Sequence, residues 1–234
     1  MKTAWFGEQK LKDAAMAQLR EHRRLDKIAQ GIYWEHGRGC HLGCLTHKDD
    51  DTHEATERMF GIPLRIAYWL EAVFEGLPED KCAWWVVKGT DAIPVGADLS
   101  LCHHHLATWL LGPDSPSAAG NSHPSVASEV AAVRTLHQEA LLGSESAAES
   151  AAWSAAESAA WSAALSAARS AARSAALSAA LSAALSAARS AAWESIAHKS
   201  IEIFQAAPIA NCERCEESIA MTMQQLTNPV KVKA

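Results

Sequence analysis

The sequence predicts an all-α protein in which a compact multi-helix N-terminal domain precedes a long helix rich in serine and alanine. Three observations lead to this prediction. Apolar residues in the first half recur at helical spacing, and no sustained alternation of period two indicates a strand. Glycines interrupt these stretches at positions suited to helix ends. A Ser-Ala-Ala repeat without glycine or proline then fills much of the second half, and alanine is the strongest helix former.

Glycines mark the predicted helix ends of the N-terminal domain. The first predicted helix carries Leu11, Ala15 and Leu19 on one face. A glycine is expected just beyond the end of a helix because it takes the left-handed conformation at low cost. By this criterion helical patterns end at Gly31, Gly61, Gly76, Gly89 and Gly112.

Capping residues indicate where further helices begin. Asp51 and Glu54 have the spacing of a capping box for a short helix that reaches Phe60. Pro63 and Pro78 each suit the first turn of another helix, where the missing amide hydrogen costs nothing.

Composition divides the chain into four parts. Residues 1–112 form the helical domain, which is long enough to bury a core. Residues 113–124 carry the proline, glycine, serine and asparagine of a linker. Residues 125–206 form a helical region that contains the repeat, and residues 207–234 form a C-terminal tail of mixed composition.

The repeat reads Ser-Ala-Ala-X twelve times between Ser146 and Trp193. Residues 146–205 would form a helix about 90 Å long, with each X position about 40° beyond the last. The bulky X residues therefore wind around the helix instead of forming one apolar stripe. Because such a helix buries little apolar area alone, we expect a homo-oligomer formed through it, with a solvated spacer as the alternative.

Charge and hydropathy exclude several protein classes. The chain has 27 acidic and 21 basic residues and a formal net charge of -6, so nucleic-acid binding is not expected. No apolar run approaches the roughly 18 to 20 residues that span a bilayer, so no membrane association is expected. The first ten residues lack the apolar core of a signal peptide. We therefore expect a cytoplasmic protein whose cysteines are thiols or metal ligands.

The densest group of chemically capable residues lies in a glycine-rich loop that begins after Trp34. Its cysteines and histidines follow the pattern C-x3-C-x2-H-x5-H, and thiolate and imidazole are the usual ligands of zinc. The glycines would let the loop wrap around an ion. The candidate zinc ligands are Cys40, Cys44, His47 and His53.

A second interpretation makes Cys40 or Cys44 a nucleophile. A reactive thiolate needs a neighbouring base or cation. In this loop those are His41, His47 and Arg38.

Two interpretations without catalysis also remain open for the loop. Its backbone amides could form a nest for a small anion, with Arg38, Gly39 and Gly43 as the binding residues. The loop could equally be a structural turn with buried thiols and surface histidines.

Two further groups carry weaker signals. His103, His104 and His105 occupy successive helix positions 100° apart, so a solvent-facing run is expected rather than a shared ion. Cys212 and Cys215 form a single C-x2-C motif without the βαβ context of a redox site.

The motifs YWEHGRGCHLGCLTH, FGIP, FEGLP, GADLSL and WLL, followed by the Ser-Ala-Ala-X repeat, resemble a family of uncharacterised phage, prophage and bacterial proteins. The resemblance covers roughly residues 5–195. It implies a cytosolic accessory protein of mobile-element origin. The chain departs from the family pattern at His41, Leu42, Asp49–Asp51 and His103–His105, and its matching loop residues are Gly39, Cys40, Gly43, Cys44, His47 and His53.

These observations favour a non-enzymatic, self-associating accessory protein that binds a partner protein or a small anionic ligand, with counteraction of host defence as one role. Two alternatives are a zinc-dependent or Cys/His hydrolase that uses residues 36–53, and a structural or scaffold module.

Overall fold

A computed structural model of the chain describes residues 3–117, 127–142, 179–210 and 215–227. These residues form nine α-helices and one small two-stranded sheet, which confirms the all-α prediction. None of the helices formed by these residues is both long and apolar enough to cross a membrane.

The helices range in length from 6 to 27 residues. A 3-10 turn, Ala4–Gly7, precedes them, and the strands β1 (Trp34–Glu35) and β2 (Arg38–Gly39) lie between the first two. The helices are α1 (Gln9–Arg24), α2 (His41–Thr46), α3 (Thr52–Phe60), α4 (Leu64–Gly76), α5 (Glu79–Asp91), α6 (Cys102–Leu110), α7 (Ala127–Leu141), α8 (Ala179–Gln205) and α9 (Glu216–Thr227).

The chain divides into two compact units, and the division differs from the one that composition predicts. The first unit contains Met1–His103 together with Ala197–Ala234, and the second contains His104–Ile196. The boundary therefore falls within α6, before the predicted linker. The predicted C-terminal tail belongs to the first unit.

In the first unit, helix α1 packs against α2, α5 and α9, and α4 packs against α2, α3 and α5. Trp5 is completely buried, and its indole nitrogen donates a hydrogen bond to the carbonyl of Ile93 at 3.0 Å. The Trp5 ring meets the Phe60 ring edge to face, with centroids 5.6 Å apart. The tryptophan thereby satisfies its one donor while it fills the core.

The C-terminal segment adds an extended stretch and a helix to this unit. The amide of Asp98 donates to the carbonyl of Pro208 at 2.8 Å, and Ala210 donates to Gly96 at 3.0 Å. Helix α9 packs on α1 and α3. Its Thr222 hydroxyl donates to the Met59 carbonyl at 3.1 Å.

The end of α8 also contributes to the first unit. Ala197, Ser200 and Phe204 are completely buried. The Ser200 hydroxyl accepts a hydrogen bond of 2.8 Å from the indole nitrogen of Trp69. The part of the Ser-Ala-Ala repeat before Ala179 lies outside the described residues, and so does Cys212.

Of the five predicted helix ends, Gly61 and Gly76 hold and Gly112 lies two residues beyond the end of α6, whereas Gly31 and Gly89 are wrong. Helix α1 already ends at Arg24, and Gly31 lies in the segment before the hairpin. Gly61 has a φ of 65° just after α3, and Gly76 is the last residue of α4. Gly89 instead lies inside α5. A Cβ atom there would lie 2.9 Å from the buried ring of Trp85, so close packing and not helix termination requires a glycine at this position.

Helix α3 begins without the predicted capping box. The Asp51 side chain makes no capping hydrogen bond. Its Oδ2 atom instead lies 2.9 Å from Nη2 of Arg58, and the two side chains form an ion pair on the helix surface. The interaction with Arg58 competes for the carboxylate that the capping box would use.

The second unit is described only in part, by the end of α6, residues 111–117, α7 and the start of α8. His104 and His137 are both buried there, with their Nδ1 atoms 3.1 Å apart. The expected solvent-facing histidine run is therefore wrong for His104, although His105 is exposed.

Candidate functional site

A short hairpin opens the cysteine loop. Trp34 pairs with Gly39 and Glu35 with Arg38 in antiparallel register. His36 and Gly37 between them have φ values of 50° and 76°, as the two central residues of a type I′ turn require. With two residues in each strand, the hairpin is too short to produce an alternation that sequence analysis could detect.

The backbone of Tyr33 passes directly against two glycines of the loop. A Cβ atom on Gly39 or on Gly43 would overlap the Tyr33 carbonyl oxygen. The same carbonyl accepts a hydrogen bond of 3.1 Å from the amide of Cys40. These glycines are therefore required for the close approach of two backbone segments.

The amides of these glycines are already used within the protein. The amide of Gly39 donates to the Lys27 carbonyl at 3.0 Å, and the amide of Gly43 donates to the Cys40 sulfur at 3.4 Å. Neither amide is open to the anion that a backbone nest would hold. The third predicted anion-binding residue, Arg38, is exposed in β2.

Cys40 and Cys44 are buried at either end of the first turn of α2. Cys40 is the N-cap residue of the helix, and Cys44 donates its thiol hydrogen to the Gly39 carbonyl at 3.2 Å. Burial raises the pKa of each thiol to about 12. For Cys40 the carboxylate of Glu71 adds to this effect, because a thiolate would lie beside a negative charge. Both thiols are therefore protonated at neutral pH.

His22 and His47 form a pair of imidazoles beneath Trp34. Their Nε2 atoms lie 2.8 Å apart, and the Trp34 ring stacks on His47 with centroids 4.3 Å apart. The imidazole centroids are 5.0 Å apart, so the two nitrogens point nearly head-on at each other. One N–H···N hydrogen bond joins them, and this head-on arrangement is that of a hydrogen-bonded pair and not of two ligands of one ion.

Burial keeps this imidazole pair neutral. Burial, with a smaller contribution from the charge of Lys27, lowers the pKa of His22 and of His47 to about 4. His41 lies apart from the pair, completely buried, with its Nε2 atom 2.7 Å from the Thr90 hydroxyl. Burial lowers the pKa of His41 to about 3, so it is a poor base for a neighbouring thiol.

A second cluster, which we call the tyrosine site, consists of Tyr33, His53, Tyr68 and Glu71. His53 Nε2 contacts Glu71 Oε2, and the Tyr68 ring stacks on His53 with centroids 3.9 Å apart. The Tyr33 ring meets His53 edge to face at 6.2 Å. The Cys40 thiol donates to the other Glu71 oxygen at 3.5 Å from beneath.

Burial differs sharply across the tyrosine site. The side chains of His53 and Glu71 are only 10% and 15% exposed, whereas Tyr33 and Tyr68 are 45% and 51% exposed. The negative charge of Glu71 raises the pKa of the Tyr33 phenol, because it disfavours a second negative charge nearby. Two aromatic rings thus stand at the surface over a buried polar pair.

The four predicted zinc ligands do not converge on one point. His53 and Cys40 contact Glu71, His47 contacts His22, and Cys44 bonds to the backbone. In the described part of the chain, no three His, Cys, Asp or Glu residues are placed so that they could hold a metal ion. Zinc binding by the loop stays a prediction.

Sequence analysis did not identify Tyr33, His22, Tyr68 or Glu71 as site residues. Tyr68 and Glu71 lie three residues apart on α4 and share its face, but they are far from the loop in sequence. Only the packing of α4 on α2 and α3 brings them to His53. Tyr33 directly precedes the loop in the sequence, and this position is the feature by which sequence analysis could have included it in the site.

No protein-family model matches the chain, and the searches of curated proteins and of solved structures likewise found no match.

Gly43→Ala is expected to destabilise the protein strongly, because its methyl group would overlap the Tyr33 carbonyl. Because the backbone must move to relieve that overlap, the free energy of unfolding is expected to fall by about 3 kcal/mol or more. Thermal unfolding of the purified variant measures the effect. Gly31→Ala is the control: Gly31 has a φ of 78° but open space around it, so about 1 kcal/mol is expected. Equal losses for the two variants would contradict the close approach.

Stability is expected to fall as the pH drops from about 6.5 towards 4. The unfolded chain binds protons at histidine near the ordinary pKa of 6.5, whereas folded His22 and His47 bind them only near 4. The stability that the neutral imidazoles contribute is therefore fully present above pH 6.5, and it is lost as the pH falls from about 6.5 to about 4.

Melting temperatures at pH 7 and pH 4.5 test this expectation. The difference should be smaller in His22→Gln/His47→Gln, which removes both titrating rings. His36→Asn is the matched control, because the His36 side chain is 87% exposed and its variant should behave as the wild type. An unchanged difference in the double variant would assign the acid sensitivity to other groups.

Proposed function

We propose that the chain is a non-enzymatic, self-associating protein that holds a partner protein through its tyrosine site. The observation that carries the proposal is the pair of half-exposed rings, Tyr33 and Tyr68, on either side of the buried His53–Glu71 contact.

The rings have the properties of an interface anchor. A tyrosine offers a large apolar surface and a polar hydroxyl, and it loses little conformational freedom on binding. Stacking on His53 already fixes the Tyr68 ring. A partner that covers these rings would therefore remove apolar area from water without a large ordering cost.

The protonation states favour binding over catalysis. Cys40 and Cys44 have pKa values near 12, so neither supplies a thiolate at neutral pH. The candidate bases His41 and His47 have pKa values near 3 and 4. A partner protein is favoured over a small anion because the loop amides are already bonded.

Self-association and cellular context complete the proposal. The Ser-Ala-Ala repeat would join copies of the chain into a homo-oligomer in the cytoplasm. The resemblance to proteins of phages and prophages supports an accessory role on a mobile element, with host-defence counteraction as the process served.

Tyr33→Ala/Tyr68→Ala is expected to lose a partner that the wild type retains. Cells that make each tagged version are crosslinked, and copurified proteins are quantified by mass spectrometry. Leu101→Ala/Ile209→Ala is the matched control, since it truncates two other exposed apolar side chains, at 41% and 65% exposure. At least one protein should be enriched with wild type and control but not with the tyrosine variant. Identical sets for all three would contradict binding through this site.

Deletion of residues 146–177, eight whole repeats, is expected to reduce the native mass from an oligomer to a single chain. The cause would be the loss of the helix surface that gains most from a partner. Sedimentation velocity over a range of concentrations measures it. A wild-type chain that is monomeric throughout, or a deletion that leaves the oligomer intact, would contradict self-association through the repeat.

A zinc-dependent or Cys/His hydrolase is the second candidate. The contact between His53 and Glu71 favours it, because a carboxylate that orients an imidazole is a recurring feature of general-base sites. Elemental analysis of untagged protein purified without chelator tests the zinc component. About one zinc per chain, lost in Cys40→Ala/Cys44→Ala, would support a metal enzyme, and the absence of stoichiometric metal would exclude a zinc enzyme.

A further inference from the structure

We infer that the group received by the tyrosine site is a cation, an arginine or lysine side chain presented by the partner protein. This inference rests on the proposed function and names the chemistry of the partner. The juxtaposition that carries it is two exposed aromatic rings with two carboxylates on the same face of the first unit.

The carboxylates are those of Glu71 and Glu75, one helical turn apart on α4. Tyr68 precedes Glu71 by three residues, so all three side chains share one helix face. Tyr33 joins this face from the segment before the hairpin, where the Gly31 amide bonds to Glu75 and the Tyr33 ring meets His53 beside Glu71. The rings and the negative charges therefore form one continuous surface.

The two carboxylates are held differently. Glu71 is largely buried and contacts His53 and the Cys40 thiol, so it fixes the floor of the site. Glu75 is exposed, and both of its oxygens accept a hydrogen bond of 3.2 Å from the amide of Gly31. The exposed carboxylate is thus held in place by the backbone but still faces water, where a basic side chain can reach it.

A basic side chain matches this surface in two ways. The face of a tyrosine attracts a cation through its quadrupole, and a guanidinium also stacks on the ring. The Glu75 carboxylate can accept charge-assisted hydrogen bonds from the same group. An anionic partner would meet like charges at the same surface, which disfavours it.

Titration with a tetra-arginine peptide at low salt tests the inference by calorimetry on the full chain, with tetra-glutamate as the opposite probe. Tetra-arginine should bind and tetra-glutamate should not. Tyr33→Leu/Tyr68→Leu keeps apolar bulk but removes the aromatic faces, and it should weaken binding about fivefold or more. Added salt should weaken binding in the wild type.

A matched pair of charge variants separates the site from net charge. Glu71→Gln/Glu75→Gln should weaken tetra-arginine binding about three- to tenfold. Glu216→Gln/Glu217→Gln removes two exposed carboxylates from α9, makes the same change in charge, and should leave binding unchanged. Thermal melting checks that each variant is folded.

The outcomes distinguish the inference from the proposed function. Equal weakening in both charge variants, or no binding of tetra-arginine, would overturn the cationic partner. If crosslinking still recovered a protein that depends on Tyr33 and Tyr68, the binding function would stand and only the charge class would be wrong.

Discussion

The site depends on the close approach of the Tyr33 backbone to Gly39 and Gly43. No side chain larger than hydrogen fits at either glycine, so the hairpin and α2 are held against the segment that carries Tyr33 and Trp34. This approach places Cys40 beneath Glu71 and places His47 against His22. The ring of Tyr33 lies edge to face against His53 and is half exposed. The packing of α4 on α2 and α3 then adds Tyr68 and Glu71 to the residues that this contact positions.

Burial of the loop side chains also determines their protonation states. Removal from water favours the neutral forms of thiols and imidazoles alike, which raises the pKa of Cys40 and Cys44 and lowers the pKa of His22 and His47. Residues that look reactive in the sequence are therefore held in their neutral forms in the fold. The tyrosine site itself presents aromatic area and carboxylate at the surface, which suits recognition of a partner better than covalent chemistry.

Helical periodicity predicted the fold class correctly, because amphipathic spacing directly reflects which side of a helix is buried. It could not distinguish Gly89, which sits under Trp85, from a helix end, since both need a residue without a side chain. Local spacing also identified the loop as the centre of the site. It grouped the cysteines and histidines as candidate ligands of one ion, beside other interpretations. In the fold His47 contacts His22, whereas Cys40 and His53 contact Glu71 from α4. Contacts between distant segments leave no periodic trace in a sequence.

The central claim is that the loop thiols are buried and protonated beneath a binding surface. Ultraviolet absorbance of the thiolate, followed as the pH is raised and taken as the difference between wild type and Cys40→Ser, measures the Cys40 pKa directly. The account predicts no thiolate from Cys40 through the ordinary range near 8.5, with ionisation only as the pH approaches about 12 or the fold opens. A thiolate that forms at or below pH 8 would contradict it and make Cys40 a nucleophile.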